Sequence, residues 1–376
     1  MRAFPFALIA GMLVLSQISM SQDATPQSYA PVKQIDAVFA GLQSDRAPGA
    51  AVLVIHDGKV VFERGYGITD LRTLHKIDEH TNFRLASLTK QFTAIALMLL
   101  VNDSKVRYEE KLTDIFPDFP EYGKQITMRE LLNHTSGLLD YEDLMRMPDK
   151  NTPENAIPQI KDREVLQLLK QQNHTKFESG TKWDYSNSGY VVLAQVVEKV
   201  SGQPFGDFLR ERIFAPLGMS NTVAYQKGKN EVQHRAYGHS KEGDRWKETD
   251  QSPTSATLGD GGIYTSLEDM VRWNGALDHH TLLSEDAMQP ALTPARWDGE
   301  MVRDRRDKPI AYGFGWFLAP YRGHSRMFHY GETAGFRNNI QRFPADRLTV
   351  LVLCNRADLQ PEGLALRVAD LFLPAN

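Results

Sequence analysis

The chain has 376 residues, 41% of them hydrophobic and 24% charged, with a formal net charge of −4. That length and balance suit a globular protein with room for two lobes and an ample core. They give no sign of a nucleic-acid or anionic-membrane partner, and a single cysteine excludes an internal disulfide.

Arg2, an uncharged run from Ala3 to Leu15 and small residues at Ser19 and Ser21 read as a secretory signal peptide over residues 1–21. The apolar run is shorter than the roughly 20 residues a bilayer span needs. A periplasmic or extracellular protein without stable membrane insertion is expected. Next, Ala50–Ile55 and Val60–Phe62 flank His56-Asp57-Gly58-Lys59 and predict a hairpin. Phe92, Ile95, Ala96 and Leu99 keep the spacing of an amphipathic helix, as do Leu193, Val196, Val197 and Val200. Phe205, Phe208, Leu209 and Ile213 continue the helical pattern up to Pro216. Lys227 to Pro253 is polar and reads as an exposed loop. Thr265-Ser266-Leu-Glu268-Asp269 has the form of a capping box opening another helix. A second hairpin is expected from Asn339–Phe343 and Leu348–Cys354, then a final helix with Leu364, Val368 and Leu371 on one face. Cys354 is expected in the core.

Strands at both ends and helices between them predict an α/β (α+β) fold, an antiparallel sheet flanked by helices with an inserted, mostly helical lobe. Residues 22–78 plus 257–376 would form the sheet lobe and 79–256 the helical one.

Several chemistries find no foothold. No serine has the Gly-x-Ser-x-Gly surround, and His-Glu-x-x-His, Walker A and Gly-x-Gly-x-x-Gly are absent. His279 and His280 are adjacent, so they cannot share one helix face as metal ligands. Ser-x-x-Lys occurs twice, as Ser87-Leu-Thr-Lys90 and Ser179-Gly-Thr-Lys182. On a helix, residues three apart lie one turn above each other, so the amine can reach the hydroxyl. A lysine that burial has partly stripped of its proton can then activate the serine. Ser87 opens a long apolar helix, where its N–H can help stabilise an oxyanion. Ser179 precedes a glycine in a polar turn and reads as a loop residue.

The segment Phe83-Arg-Leu-Ala-Ser87-Leu-Thr-Lys90-Gln-Phe-Thr-Ala94 resembles the nucleophile segment of the class C β-lactamase and DD-peptidase family and its related esterases. Similarity continues through Leu131–Leu138, Gly180–Tyr190, Pro216–Met219, Gly261–Asp269, Tyr312–Trp316 and His329-Tyr-Gly331, together spanning about residues 48–356. The resemblance implies a serine acyl-hydrolase of the β-lactamase/transpeptidase fold, with no metal and no organic cofactor. It makes Ser87 the nucleophile, Lys90 its activating lysine and Tyr185 the group that exchanges protons with serine and leaving group. Asn187 would bind the substrate amide. His329, Tyr330 and Gly331 would form the substrate-lining strand, with the glycine admitting substrate backbone and His329 lending positive charge. The backbone N–H groups of Ser87 and Glu332 would form the oxyanion hole.

The His-x-Gly form departs from the Lys-Thr-Gly of dedicated class C β-lactamases, so the bond cleaved is expected to be an amide, peptide, β-lactam or ester, with D-Ala-D-Ala-type peptides from the cell wall and small esters favoured over β-lactams. The rival reading is a catalytically silent, penicillin-binding-like sensor or scaffold for such fragments.

Overall fold

The computed structural model describes Met1 and residues 31–149, 152–295, 302–303 and 309–374; the expected signal peptide lies outside the described residues. Pro31–Asn376 form one compact unit. No helix among the described residues is long and apolar enough to cross a membrane.

The strands run in chain order as β1 (Ala50–His56), β2 (Lys59–Tyr66), β3 (Phe83–Arg84), β4 (Val223–Ala224), β5 (His239–Glu242), β6 (Arg245–Glu248), β7 (Ile263–Thr265), β8 (Val302–Arg303), β9 (Pro309–Tyr312), β10 (Phe317–Leu318), β11 (Met327–Thr333), β12 (Phe336–Phe343) and β13 (Leu348–Cys354). Eight form an antiparallel sheet in the order β2-β1-β13-β12-β11-β10-β9-β8. Both expected hairpins are present, and β1 pairs with β13 from Ala50↔Cys354 to His56↔Leu348, which joins the two ends of the chain.

The uninterrupted apolar run of β1 follows from burial on both faces. Ala50, Val52 and Val54 pack with Ile35 of the helix Val32–Val38 and with Val368 of the helix Pro361–Ala369. Ala51, Leu53 and Ile55 face the large core made by the intervening helices. Fully buried Cys354 sits on the first of these faces, where burial pushes its thiol well up and leaves it inert.

Three expectations are corrected. The helix Lys90–Asn102 is buried at every position from Lys90 to Leu100 rather than amphipathic, because it runs through the main core. Lys227–Pro253 is not a simple loop: it holds the β5–β6 hairpin, turning at Gly243 with φ +63°, and buries His239 and Asp250. The last helix ends at Ala369, so Leu371 lies beyond it, 38% exposed, and the buried face is Ala365, Val368 and Ala369. Of the expected capping box only the N-cap half forms: the Ser266 hydroxyl accepts from Asp269 N at the start of the helix Leu267–Asp278, while the Asp269 carboxylate accepts from Asn221 N and Thr222 Oγ1.

Candidate active site

Ser87 lies in a short 3-10 turn, Ala86–Thr89, that leads into the helix beginning at Lys90. Ala86 just before it has φ +50°, a left-handed conformation that costs a non-glycine residue energy and that clusters at functional turns. The three-residue spacing does what the sequence predicts: Lys90 Nζ donates to Ser87 Oγ at 3.1 Å. Its other bonds go to Asn187 Oδ1 at 2.9 Å and to the Asp260 carbonyl at 3.1 Å. Lys90 is fully buried, and that burial pushes its amine down to about 8, opposed by the charges of Asp260, Glu142 and Asp140. An amine so poised is a usable base near neutral pH.

Tyr185 and Asn187 arrive from a distant segment. Ser186 caps the helix Asn187–Ser201, its hydroxyl accepting from Gly189 N at 3.1 Å. Lys90 Nζ stands 4.9 Å from the centre of the Tyr185 ring, so one ammonium serves both the serine and the tyrosine. Asn187 accepts from Lys90 with its oxygen and donates through Nδ2 to Glu142 Oε1 at 3.1 Å. A substrate amide that reaches Asn187 must therefore compete with Glu142.

The strand β11 brings His329, Tyr330, Gly331 and Glu332 beside this group. His329 is fully buried and touches no solvent. Its Nδ1 lies 2.7 Å from the Tyr330 carbonyl, which can only accept, so Nδ1 carries the proton and Nε2 accepts from Tyr312 Oη at 3.0 Å. Burial and the charge of Lys90 push its pKa down to about 3. The imidazole is therefore held neutral, without the positive charge expected of it, and its ring packs against Phe317 and Tyr312, 6.2 Å from the centre of the Tyr185 ring. Tyr330 is half-buried and stacks on Phe317, ring centres 5.3 Å apart, in an aromatic wall that also includes Tyr185 and Trp183.

Gly331 has a different use from the one expected. A Cβ there would lie 2.2 Å from the Leu85 carbonyl oxygen and 3.2 Å from Leu88 Cδ1. Across the ladder from Gly331 stands Asn338, whose Nδ2 donates to the Arg84 and Leu85 carbonyls at 2.8 and 3.2 Å. The missing side chain on one strand and the amide on the next thus seat the turn that carries Ser87 directly on the sheet. The space on that side belongs to Leu85, not to substrate.

The second Ser-x-x-Lys lies apart from this group, with Ser179 in a turn and Lys182 exposed. His279 and His280 are exposed, and no cluster suited to a metal ion occurs among the described residues. Sequence reasoning missed Glu142, Asp260 and Phe317, and gave no role to Tyr312 although it opens the Tyr312–Trp316 resemblance. It also assigned no role to His134, fully buried with its ring centre 4.4 Å from that of Tyr185. The resemblance of Leu131–Leu138 was the only signal near it.

A family model described as Beta-lactamase matches residues 35–373. A penicillin-binding protein of Bacillus subtilis (strain 168) is 31% identical over 355 residues, covering 91% of this chain and 76% of its own length. A D-aminopeptidase of Brucella anthropi is 30% identical over 324 residues, 83% of this chain and 57% of that protein. Among solved structures, the D-amino acid amidase of Ochrobactrum anthropi SV3, complexed with L-phenylalanine, matches with a TM-score of 0.72 at 26% identity, covering 90% of this chain and 97% of that one. With the match running through nearly all of the described residues, the chain belongs to the Beta-lactamase family and is a serine hydrolase.

Proposed function

We propose that the protein cleaves a small amide, peptide or ester by forming an acyl-enzyme on Ser87. The single observation that carries this reading is the buried, partly deprotonated Lys90 amine bonded to Ser87 Oγ. The neutral amine takes the hydroxyl proton as Ser87 Oγ attacks the substrate carbonyl carbon. The oxygen of the tetrahedral intermediate is held by the N–H groups of Ser87 and Glu332. Its collapse breaks the bond to the leaving group, which departs with a proton delivered through Tyr185. Water then attacks the acyl ester, gives a proton back to the Lys90–Tyr185 pair and releases the acid, returning Ser87 to its hydroxyl.

Amides without a free carboxylate at the β11 strand are favoured over β-lactams, because the imidazole that replaces the lysine of dedicated β-lactamases is uncharged. The relatives named for D-amino acid amide and D-aminopeptide cleavage point the same way. The signal-like residues 1–21 support action in the periplasm or outside the cell, where cell-wall peptides are available.

The test is intact mass and turnover for wild type and Ser87→Ala with p-nitrophenyl acetate and D-alanine p-nitroanilide. An acetyl adduct and product release confined to wild type are expected. Equal turnover by the alanine variant would sink the reading, and binding of cell-wall fragments with no turnover of either probe would favour the silent sensor.

A further inference from the structure

The Leu131–Leu138 stretch has no part in the chemistry above, yet it is laced to the segment that presents Tyr185. Lys176 N donates to the Gly137 carbonyl at 2.7 Å, Gly180 N to that of Thr135 at 2.8 Å and Asp184 N to that of His134 at 3.0 Å. A side chain makes the last bond of the series: Ser186 N donates to His134 Nδ1 at 3.1 Å. His134 thus receives the amides on either side of Tyr185, one on its carbonyl and one on its ring.

Packing alone does not account for a histidine here. Its backbone has φ +65°, a conformation that glycine or asparagine adopts more readily. Its ring is fully buried among Tyr185, Tyr190, Tyr312 and Trp183. Because Nδ1 accepts, the ring proton sits on Nε2, and that N–H has no hydrogen-bond partner. Burial and the nearby charge of Lys90 hold the ring neutral. A purely apolar filler would avoid this orphaned donor but would leave Ser186 N–H without its acceptor.

We propose that His134 is a positioning residue for Tyr185, fixing the peptide on both sides of the tyrosine so that its ring stands beside Lys90. The inference rests on the reading of Tyr185 as the proton carrier to the leaving group.

The test compares phenyl acetate, whose leaving group needs a proton, with p-nitrophenyl acetate, whose leaving group departs readily without one. Both esters form the same acetyl-enzyme, so the step that differs is read in kcat/KM, and the ratio of the two kcat/KM values does not depend on how much of a variant is folded. Tyr185→Phe, His134→Phe and His134→Gln should each lower kcat/KM for phenyl acetate at least about tenfold more than for p-nitrophenyl acetate. His134→Asn puts an oxygen near the place of Nδ1 and suits the left-handed backbone. It should restore the wild-type ratio to within about threefold. A wild-type ratio in both His134→Phe and His134→Gln, with Tyr185→Phe impaired, would overturn the inference alone. So would a ratio in His134→Asn as low as in His134→Phe. A wild-type ratio in Tyr185→Phe would bring down the reading of Tyr185 and this inference with it.

Discussion

The Leu85 carbonyl oxygen occupies the place from which a side chain at Gly331 would grow, 2.2 Å from the position of its Cβ. The turn bearing Ser87 and the strand bearing Glu332 meet at that point. Gly331→Ala must therefore push them apart, since the obstacle is backbone and cannot swing aside. Overpacking of this kind costs about 1–3 kcal/mol. Displacement of a nucleophile by about 1 Å can cost ~100-fold in rate. A lower urea midpoint and a kcat reduced by about that factor are expected. An alanine variant with native stability and native kcat would show that the contact does not hold the site together.

Lys90 supplies the pH dependence. Its amine is held near 8 by burial, and only the deprotonated form can accept the Ser87 proton. Hence kcat/KM should rise with pH to a midpoint near 8, the value belonging to the free enzyme. Glu142 is among the carboxylates that favour the ammonium form. Glu142→Gln removes that charge, so the midpoint should move to lower pH. Lys90→Arg places a permanently charged guanidinium there and should lower kcat/KM by about 10³-fold. A rising limb that survives unchanged in Lys90→Arg would assign the titration to another group.

The parts of this site that local spacing alone reveals are those made by neighbours, whereas Tyr185 and Asn187, distant in sequence, were legible only through the family resemblance. Ser87 and Lys90 meet because three residues span one helical turn. The β1–β2 and β12–β13 hairpins followed from apolar runs around polar turns. The β5–β6 hairpin was hidden because His239-Ser-Lys-Glu242 is half-exposed and carries no apolar alternation. Glu142, Asp260 and His134 reach the site across 45 residues to Asn187, 170 to Lys90 and 52 to Ser186. No local pattern encodes such contacts. The charge of His329 and the purpose of Gly331 depend on what is packed against them, which only the fold reveals.

Buried, uncharged His329 should be visible in stability. In the unfolded chain its imidazole takes up a proton below about pH 6.5, whereas in the fold it holds off protonation to about 3. Between these values the unfolded state binds more protons, so stability falls as pH falls. At pH 5 this amounts to about 2 kcal/mol. Buried Asp162 acts in the opposite sense, because burial pushes its carboxyl up from 3.8 to about 7 and the folded state then binds the extra proton. Comparing wild type with His329→Gln removes that opposing contribution, since Asp162 is common to both. Urea unfolding at pH 7.5 and pH 5 should show wild type losing about 2 kcal/mol more than the glutamine variant, whatever constant offset the lost bond to Tyr312 adds. Equal losses would mean that His329 takes a proton in the folded protein, which would restore a positive charge to the substrate-lining strand and reopen the case for a carboxylate-bearing substrate.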